Sequence, residues 1–191
     1  MSLKDNKYTD KGSTHSYIEL YDKLLKPIKE TAKNVLEVGI GDFPDYGHCG
    51  GGSLMMWSEF FTKATVYGVD KLGPDNVFPW VRKDKSVKLY CNTDAYSKDF
   101  VSKKLKDMKF DMLLDDGPHS FETQIKFIKL YSPLLSENGI LMIEDIENCE
   151  YLKKFKDATP PHLRKYIKSY DLTHVKGRHD DVVFTIDRIR R

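Results

Sequence analysis

The chain has 191 residues, a length that favours one domain, and its 40% hydrophobic and 12% aromatic content excludes disorder as a whole-chain reading. Its 31 Lys and Arg against 29 Asp and Glu leave a formal charge of +2, far from the one-sided charge of a dedicated nucleic-acid binder. Three widely spaced cysteines, Cys49, Cys91 and Cys149, supply neither a disulfide framework nor a zinc ribbon, and the polar start Met1 to Asp10 lacks the apolar stretch of a signal peptide. With no run near the ~18 consecutive apolar residues of a membrane span, the expectation is a soluble protein of a reducing, cytoplasmic compartment with no membrane partner.

The predicted elements alternate between short β-rich runs and longer amphipathic ones. Tyr17, Leu20, Tyr21, Leu24, Leu25 and Ile28 recur at helical spacing, with Pro27 kinking or ending that helix. A buried strand, residues 34–41, runs into Gly39 and Gly41; a loop and a helix over 53–61 lead to a second strand ending at Asp70. Val87 to Cys91 is predicted as the third strand and 110–116 as the fourth, with a Lys-rich helix between them showing Phe100, Val101, Leu105 and Met108 on one face. A helix carrying Phe121, Ile125, Ile128, Tyr131 and Leu135 precedes a fifth strand over 140–143.

After Pro160 and Pro161 two β-like runs, 167–173 and 181–186, are joined by a Lys176–His179 turn with no room for a helix, which predicts an antiparallel hairpin. The expected fold class is therefore α/β: a doubly wound, Rossmann-like sheet of about seven strands, mostly parallel, with a C-terminal antiparallel hairpin. Residues 1–191 form one domain in this reading, with 1–30 as an N-terminal lid and helix and 162–191 as the hairpin.

In such a sheet, ligands sit beyond the carboxyl ends of the strands. Glu37, Gly39 and Gly41 end the first strand, and Asp70, ending the second, can accept hydrogen bonds from two ribose hydroxyls. Together they suggest a nucleoside site. Pro44 stands where a dinucleotide fingerprint needs its third glycine, which disfavours NAD. The loop Asp42 to Gly52, leading into Ser53, can wrap a ligand or merely be flexible. Asp94, after the third strand, can accept from an adenine amino group or serve as a turn or cap.

The fourth strand ends in Asp115-Asp116-Gly117-Pro118-His119 and the fifth in Glu144-Asp145. Parallel neighbours lie ~4.8 Å apart, so Asp116, Glu144 and Asp145 can meet as hard oxygen ligands for Mg²⁺. The competing reading makes Asp-Gly a turn, His119 or Ser120 a helix cap, and Glu144-Asp145 the start of another helix.

The segment Val35 to Gly41 with a second strand ending in an acid resembles a class I S-adenosylmethionine-dependent methyltransferase. Four motifs resemble, more specifically, the metal-dependent macrocin- and mycinamicin-type sugar O-methyltransferases: Thr9-Asp10-Lys11-Gly12-Ser13-Thr14-His15-Ser16-Tyr17, Gly50 to Trp57, Asp115 to His119, and Ile143-Glu144-Asp145. The resemblance spans about residues 8 to 187. It implies S-adenosylmethionine as cofactor, with Glu37, Gly39, Gly41, Ser53, Asp70, Asp94 and Asp115 on the cofactor side. It also implies Mg²⁺ (or Mn²⁺) on Asp116, Glu144 and Asp145, and His119 as general base. Lys11, His15 and Tyr17, on a polar arm, are expected to contact substrate or form a lid. Pro118 stands where a Ser is commoner, and the departure is size, since the macrolide enzymes carry an additional N-terminal region, so the resemblance does not extend to acceptor identity or assembly.

A sugar hydroxyl is a poor nucleophile at neutral pH, and a metal ion together with a positioned base addresses that. The expected partner is a sugar, nucleotide-sugar or glycoside acceptor, with a homo-oligomer open and nucleic acid disfavoured. The alternatives are a catechol-type O-methyltransferase, which lacks the Thr9 to Tyr17 motif, and a non-catalytic nucleoside-binding module.

Overall fold

Strands buried on both faces need apolar side chains at successive positions, and β1 (Asn34–Val38), β2 (Thr65–Val69) and β4 (Phe110–Asp115) have them. The structure, a computed structural model, describes residue 3 and residues 9–41 and 50–191. The predicted loop positions 42–49 and the start of the predicted lid, apart from residue 3, lie outside those residues. With β3 (Val87–Tyr90), β5 (Leu135–Ile143), β6 (Ile167–Asp171) and β7 (Val182–Asp187), the strands form one seven-stranded sheet in the order β3-β2-β1-β4-β5-β7-β6. The first five in that order are parallel; β7 runs antiparallel to both β5 and β6. The expected doubly wound sheet with its terminal hairpin is therefore present.

Alternation along the strands sorts the core into two layers. Val35, Val66, Met112 and Met142 pack with α1 (Tyr17–Leu25) and α2 (Gly52–Phe60) on one face, whereas Leu36, Val69, Leu113 and Leu141 pack with α5 (Phe121–Tyr131) and α6 (Tyr151–Ala158) on the other. In α1 the predicted stripe is buried, and a 3₁₀ turn containing Pro27 takes over at Lys26. Ser120 caps α5 by accepting from the Thr123 amide, a contribution of about 1 kcal/mol.

Several expectations need correction. The hairpin connection does hold a helix, α7 (Thr173–Lys176). Asp171, two residues before Thr173, accepts from the Thr173 amide and hydroxyl, and Gly177, at φ 76°, ends the helix. Four residues are too few to show helical periodicity. β5 starts at Leu135, earlier than expected, because Ser136 bonds Asp111 across the sheet and the pairing with β4 shifts register near there. The Lys-rich helix is one α-helical turn, α4 (Lys98–Phe100), continued as a π-helix over Val101–Leu105. Residues 144 and 145 begin no helix. A further short helix, α3 (Pro79–Lys83), follows β2. No helix among the described residues is long and apolar enough to cross a membrane.

Candidate functional site

The carboxyl ends of β1, β2, β4 and β5 open into one cleft of about 500 Å³, a volume suited to a nucleoside-sized ligand. Gly39 and Gly41 line it in left-handed conformations, φ 79° and 77°. Gly39 is required twice over, since a Cβ there would also fall 1.9 Å from the Asp116 carbonyl oxygen. Asp70 lines the same cleft. Its Oδ2 accepts from the Ile40 amide and its Oδ1 from the Leu72 amide, both at 2.8 Å, so the carboxylate is fixed in place while lone pairs remain for a ligand. Asp94 is at the wall, where its Oδ1 accepts from the Tyr96 amide in a local turn.

Three residues expected on the cofactor side are brought elsewhere. Strand alternation puts Glu37 on the α1/α2 face, where it is fully buried and accepts from Ser53 Oγ at 2.7 Å and Trp57 Nε1 at 3.0 Å. Glu37 and Ser53 thus bond each other beneath the cleft. Asp115 points to the opposite face and accepts from the Tyr96 hydroxyl. Burial, chiefly, pushes the carboxyls of Glu37 and Asp115 up to about 7.

At the far end of the cleft stand Asp116, His119 and Asp145. His119 Nε2 is 3.5 Å from Asp145 Oδ2 and 3.9 Å from Asp116 Oδ1, and each of the three residues offers one ligand atom within 4.8 Å of the others. His119 and Asp145 both have positive φ, 57° and 52°, a strained conformation for residues with side chains. Glu144 lies beside them but is turned inward, accepting from the Tyr21 hydroxyl and paired with the Lys11 ammonium. Burial first, then the neighbouring carboxylates, raises the Glu144 and Asp145 pKa values. Two carboxylates crowded in this way beside an imidazole suit a divalent cation, whose charge relieves their repulsion and leaves the imidazole next to the ion.

The arm expected as a lid is folded into this cluster. Lys11 is buried, 2.5 Å from Asp116 Oδ2 and 3.4 Å from Glu37 Oε1 as well as against Glu144. Burial by itself would lower the Lys11 pKa, but Asp116, Glu144 and Glu37 outweigh it and raise it well above the usual range. Tyr17 donates to Asp145 Oδ1 at 2.5 Å and stacks on His15. His15 Nδ1 lies 2.8 Å from Asp181 Oδ1 and 3.2 Å from Asp145 Oδ1.

Sequence reasoning missed the residues that anchor the arm. Asp181, fully buried at the start of β7, also accepts from the Ser16 amide. From α7, Lys176 donates to the carbonyls of Gly12, Ser13 and His15. Arg178 and Asp180 pair with each other at the cleft wall. The signal that could have found this set is the charge density of residues 176–181 in a supposed hairpin turn.

The fold is the Rossmann-like fold of S-adenosylmethionine-dependent methyltransferases. No family model matches the chain. Its sequence is 27% identical over 152 residues to the 8-demethyl-8-alpha-L-rhamnosyl tetracenomycin-C 2'-O-methyltransferase of Streptomyces olivaceus, covering 78% of this chain and 38% of that protein. It is 28% identical over 152 residues to the mycinamicin VI 2''-O-methyltransferase of Micromonospora griseorubida, covering 75% of this chain and 35% of that one. The chain spans about a third of the length of the curated relatives it matches. Among solved structures it superposes on the MycE methyltransferase of the mycinamycin biosynthetic pathway, in complex with Mg, SAH and mycinamycin VI. That match has a TM-score of 0.74 at 21% identity, over 98% of this chain and 54% of that one. An rRNA-methylase structure from Clostridium thermocellum superposes with a TM-score of 0.67 at 16% identity, covering 93% of this chain and 97% of that one, so the fold alone selects no acceptor.

Proposed function

We propose that the protein is a divalent-metal-dependent O-methyltransferase that moves a methyl group from S-adenosylmethionine to a hydroxyl of a sugar, nucleotide sugar or glycoside. The observation that carries this reading is the single cleft in which Gly39, Gly41 and Asp70 share a wall with Asp116, His119 and Asp145. The sugar class is supported by relatives whose names describe methylation of rhamnosyl and olivosyl compounds.

When bound, S-adenosylmethionine supplies an electrophilic methyl group, and Mg²⁺, or Mn²⁺ in its place, supplies Lewis acidity toward a hydroxyl. Asp70, already fixed by two backbone amides, orients the ribose. Gly39 and Gly41 keep side chains out of the ligand's path. Asp116 and Asp145, which each turn one oxygen toward the shared space, would hold the ion there, with Glu144 as a third ligand. His119 Nε2, on the cleft wall, takes the proton from the acceptor hydroxyl, a role worth roughly 10²- to 10⁴-fold in rate. The arm, pinned by Asp181 and Lys176, closes the acceptor side and excludes water.

The test is transfer of a labelled methyl group to a panel of glycosides, nucleotide sugars and catechols, with Mg²⁺ and with chelator. Metal-dependent transfer to a sugar is expected. Preference for catechols would move the protein to the catechol-type class, and cofactor binding without transfer to any of them would make it a binding module.

A further inference from the structure

The Lys11 ammonium is buried against three acidic residues. A buried ammonium is costly unless fully compensated. Here Asp116 just past β4, Glu144 just past β5 and Glu37 within β1 surround it, and two of these, Asp116 and Glu144, are also proposed metal ligands. Lys11 holds Asp116 by Oδ2 and leaves Oδ1 to face His119, but both oxygens of Glu144 are taken, Oε1 by Lys11 and Oε2 by Tyr21, so an ion reaches Glu144 only as the ammonium gives way. Glu37 differs from the other two: its Oε2 is saturated by Ser53 and Trp57, yet its Oε1 is buried with no hydrogen-bond partner among the described residues. That oxygen is 3.4 Å from Lys11 Nζ, an ion pair without a hydrogen bond.

We propose that Lys11 is a positioning residue for divalent-ion binding: its ammonium is a tethered cation that holds Asp116 and Glu144 together in the metal-free protein and passes to Glu37 when the ion takes those ligands. This rests on the metal-dependent reading above. The exchange keeps the buried ammonium against a carboxylate at both stages, because Glu37 Oε1, which makes no hydrogen bond, already lies 3.4 Å from it. It also gives Glu37 a function that the cleft does not, since Glu37 bonds beneath the wall. The arm's backbone need not leave, because Lys176 and Asp181 hold it at Gly12 to Ser16 independently of Lys11.

The experiment is a double-mutant cycle on Mg²⁺ affinity, measured by titration calorimetry on the cofactor-free protein, with thermal unfolding in chelator recorded for every variant. Lys11→Met removes the competitor and is expected to tighten Mg²⁺ binding tenfold or more. Glu37→Gln keeps the Ser53 and Trp57 contacts but removes the receiving charge, and is expected to weaken binding about tenfold with Lys11 present and less than twofold in the Lys11→Met background. That loss of effect is what a general charge change would not produce. Equal effects of Glu37→Gln in both backgrounds, or no tightening in Lys11→Met, overturn the exchange while leaving the metal-dependent reading intact. If Lys11→Met does not fold, Glu37→Gln alone decides, since unchanged Mg²⁺ affinity there overturns the proposal. Failure of wild type and all variants to bind Mg²⁺ overturns the metal-dependent reading, and the exchange with it.

Discussion

His119 and Asp145 face each other across the cleft with Nε2 and Oδ2 3.5 Å apart, and both sit in left-handed backbone that their side chains disfavour. Each lies just past a different strand, His119 past β4 and Asp145 past β5, where the backbone has left the extended conformation and both side chains reach one space. For the proposed base, His119→Ala is expected to lower turnover roughly 10²-fold or more while S-adenosylmethionine affinity changes little. His119→Gly should be as inactive but more stable than His119→Ala by up to about 1 kcal/mol, because glycine adopts φ 57° without cost. Kinetics and denaturant unfolding of the pair separate the chemical role from the conformational one.

Asp70 is the test of the cofactor end. Replacing it with Ala removes the ribose acceptor and leaves the Ile40 and Leu72 amides without their partner. Calorimetry should show S-adenosylmethionine binding weakened by about 1.5–3 kcal/mol, in the range of hydrogen bonds to a charged group. Unchanged affinity would place the cofactor elsewhere in the cleft.

The Asp115 carboxyl, raised by burial from an ordinary 3.8 to about 7, makes a signed prediction. Between those values the folded protein keeps a proton that the unfolded chain releases. Its stabilising contribution is complete below about 4, falls as pH rises toward 7 and then levels off, at about 1.4 kcal/mol per unit of difference. Glu37 acts in the same direction. Urea unfolding from pH 5 to 8 should therefore show a decline that is shallower in Asp115→Asn, and an equally steep decline in the variant would refute the assignment.

Gly39→Ala tests the junction of β1 with the β4 end. Its new Cβ would meet the Asp116 carbonyl oxygen, backbone that cannot swing aside, at a positive φ. The expected loss is on the order of 2 kcal/mol or more, read as a lowered midpoint in thermal unfolding.

Lys176→Ala removes three hydrogen bonds to the arm without touching the sheet. Faster amide exchange confined to about residues 12–17 is expected, with core protection unchanged. If the arm closes the acceptor side, KM for the acceptor should rise while cofactor affinity is retained.

The fold was legible because its signals are local. Apolar runs at 35–38, 65–69 and 110–114, separated by helical periodicity, specify strands buried on both faces, and parallel crossovers leave few ways to assemble them. The acids at strand ends were equally legible, since position at a carboxyl end is a property of sequence order. Tertiary structure decided which way each side chain points and what meets it. Alternation within β1 sent Glu37 beneath the cleft, left-handed turns brought His119 to Asp145, and a four-residue helix too short to show a period carried Lys176 to the arm. Lys11 shows the division most clearly: its motif was visible, but its three carboxylate partners come from strands 26, 105 and 133 residues away. Contacts over such separations depend on how the sheet closes, which no local pattern encodes.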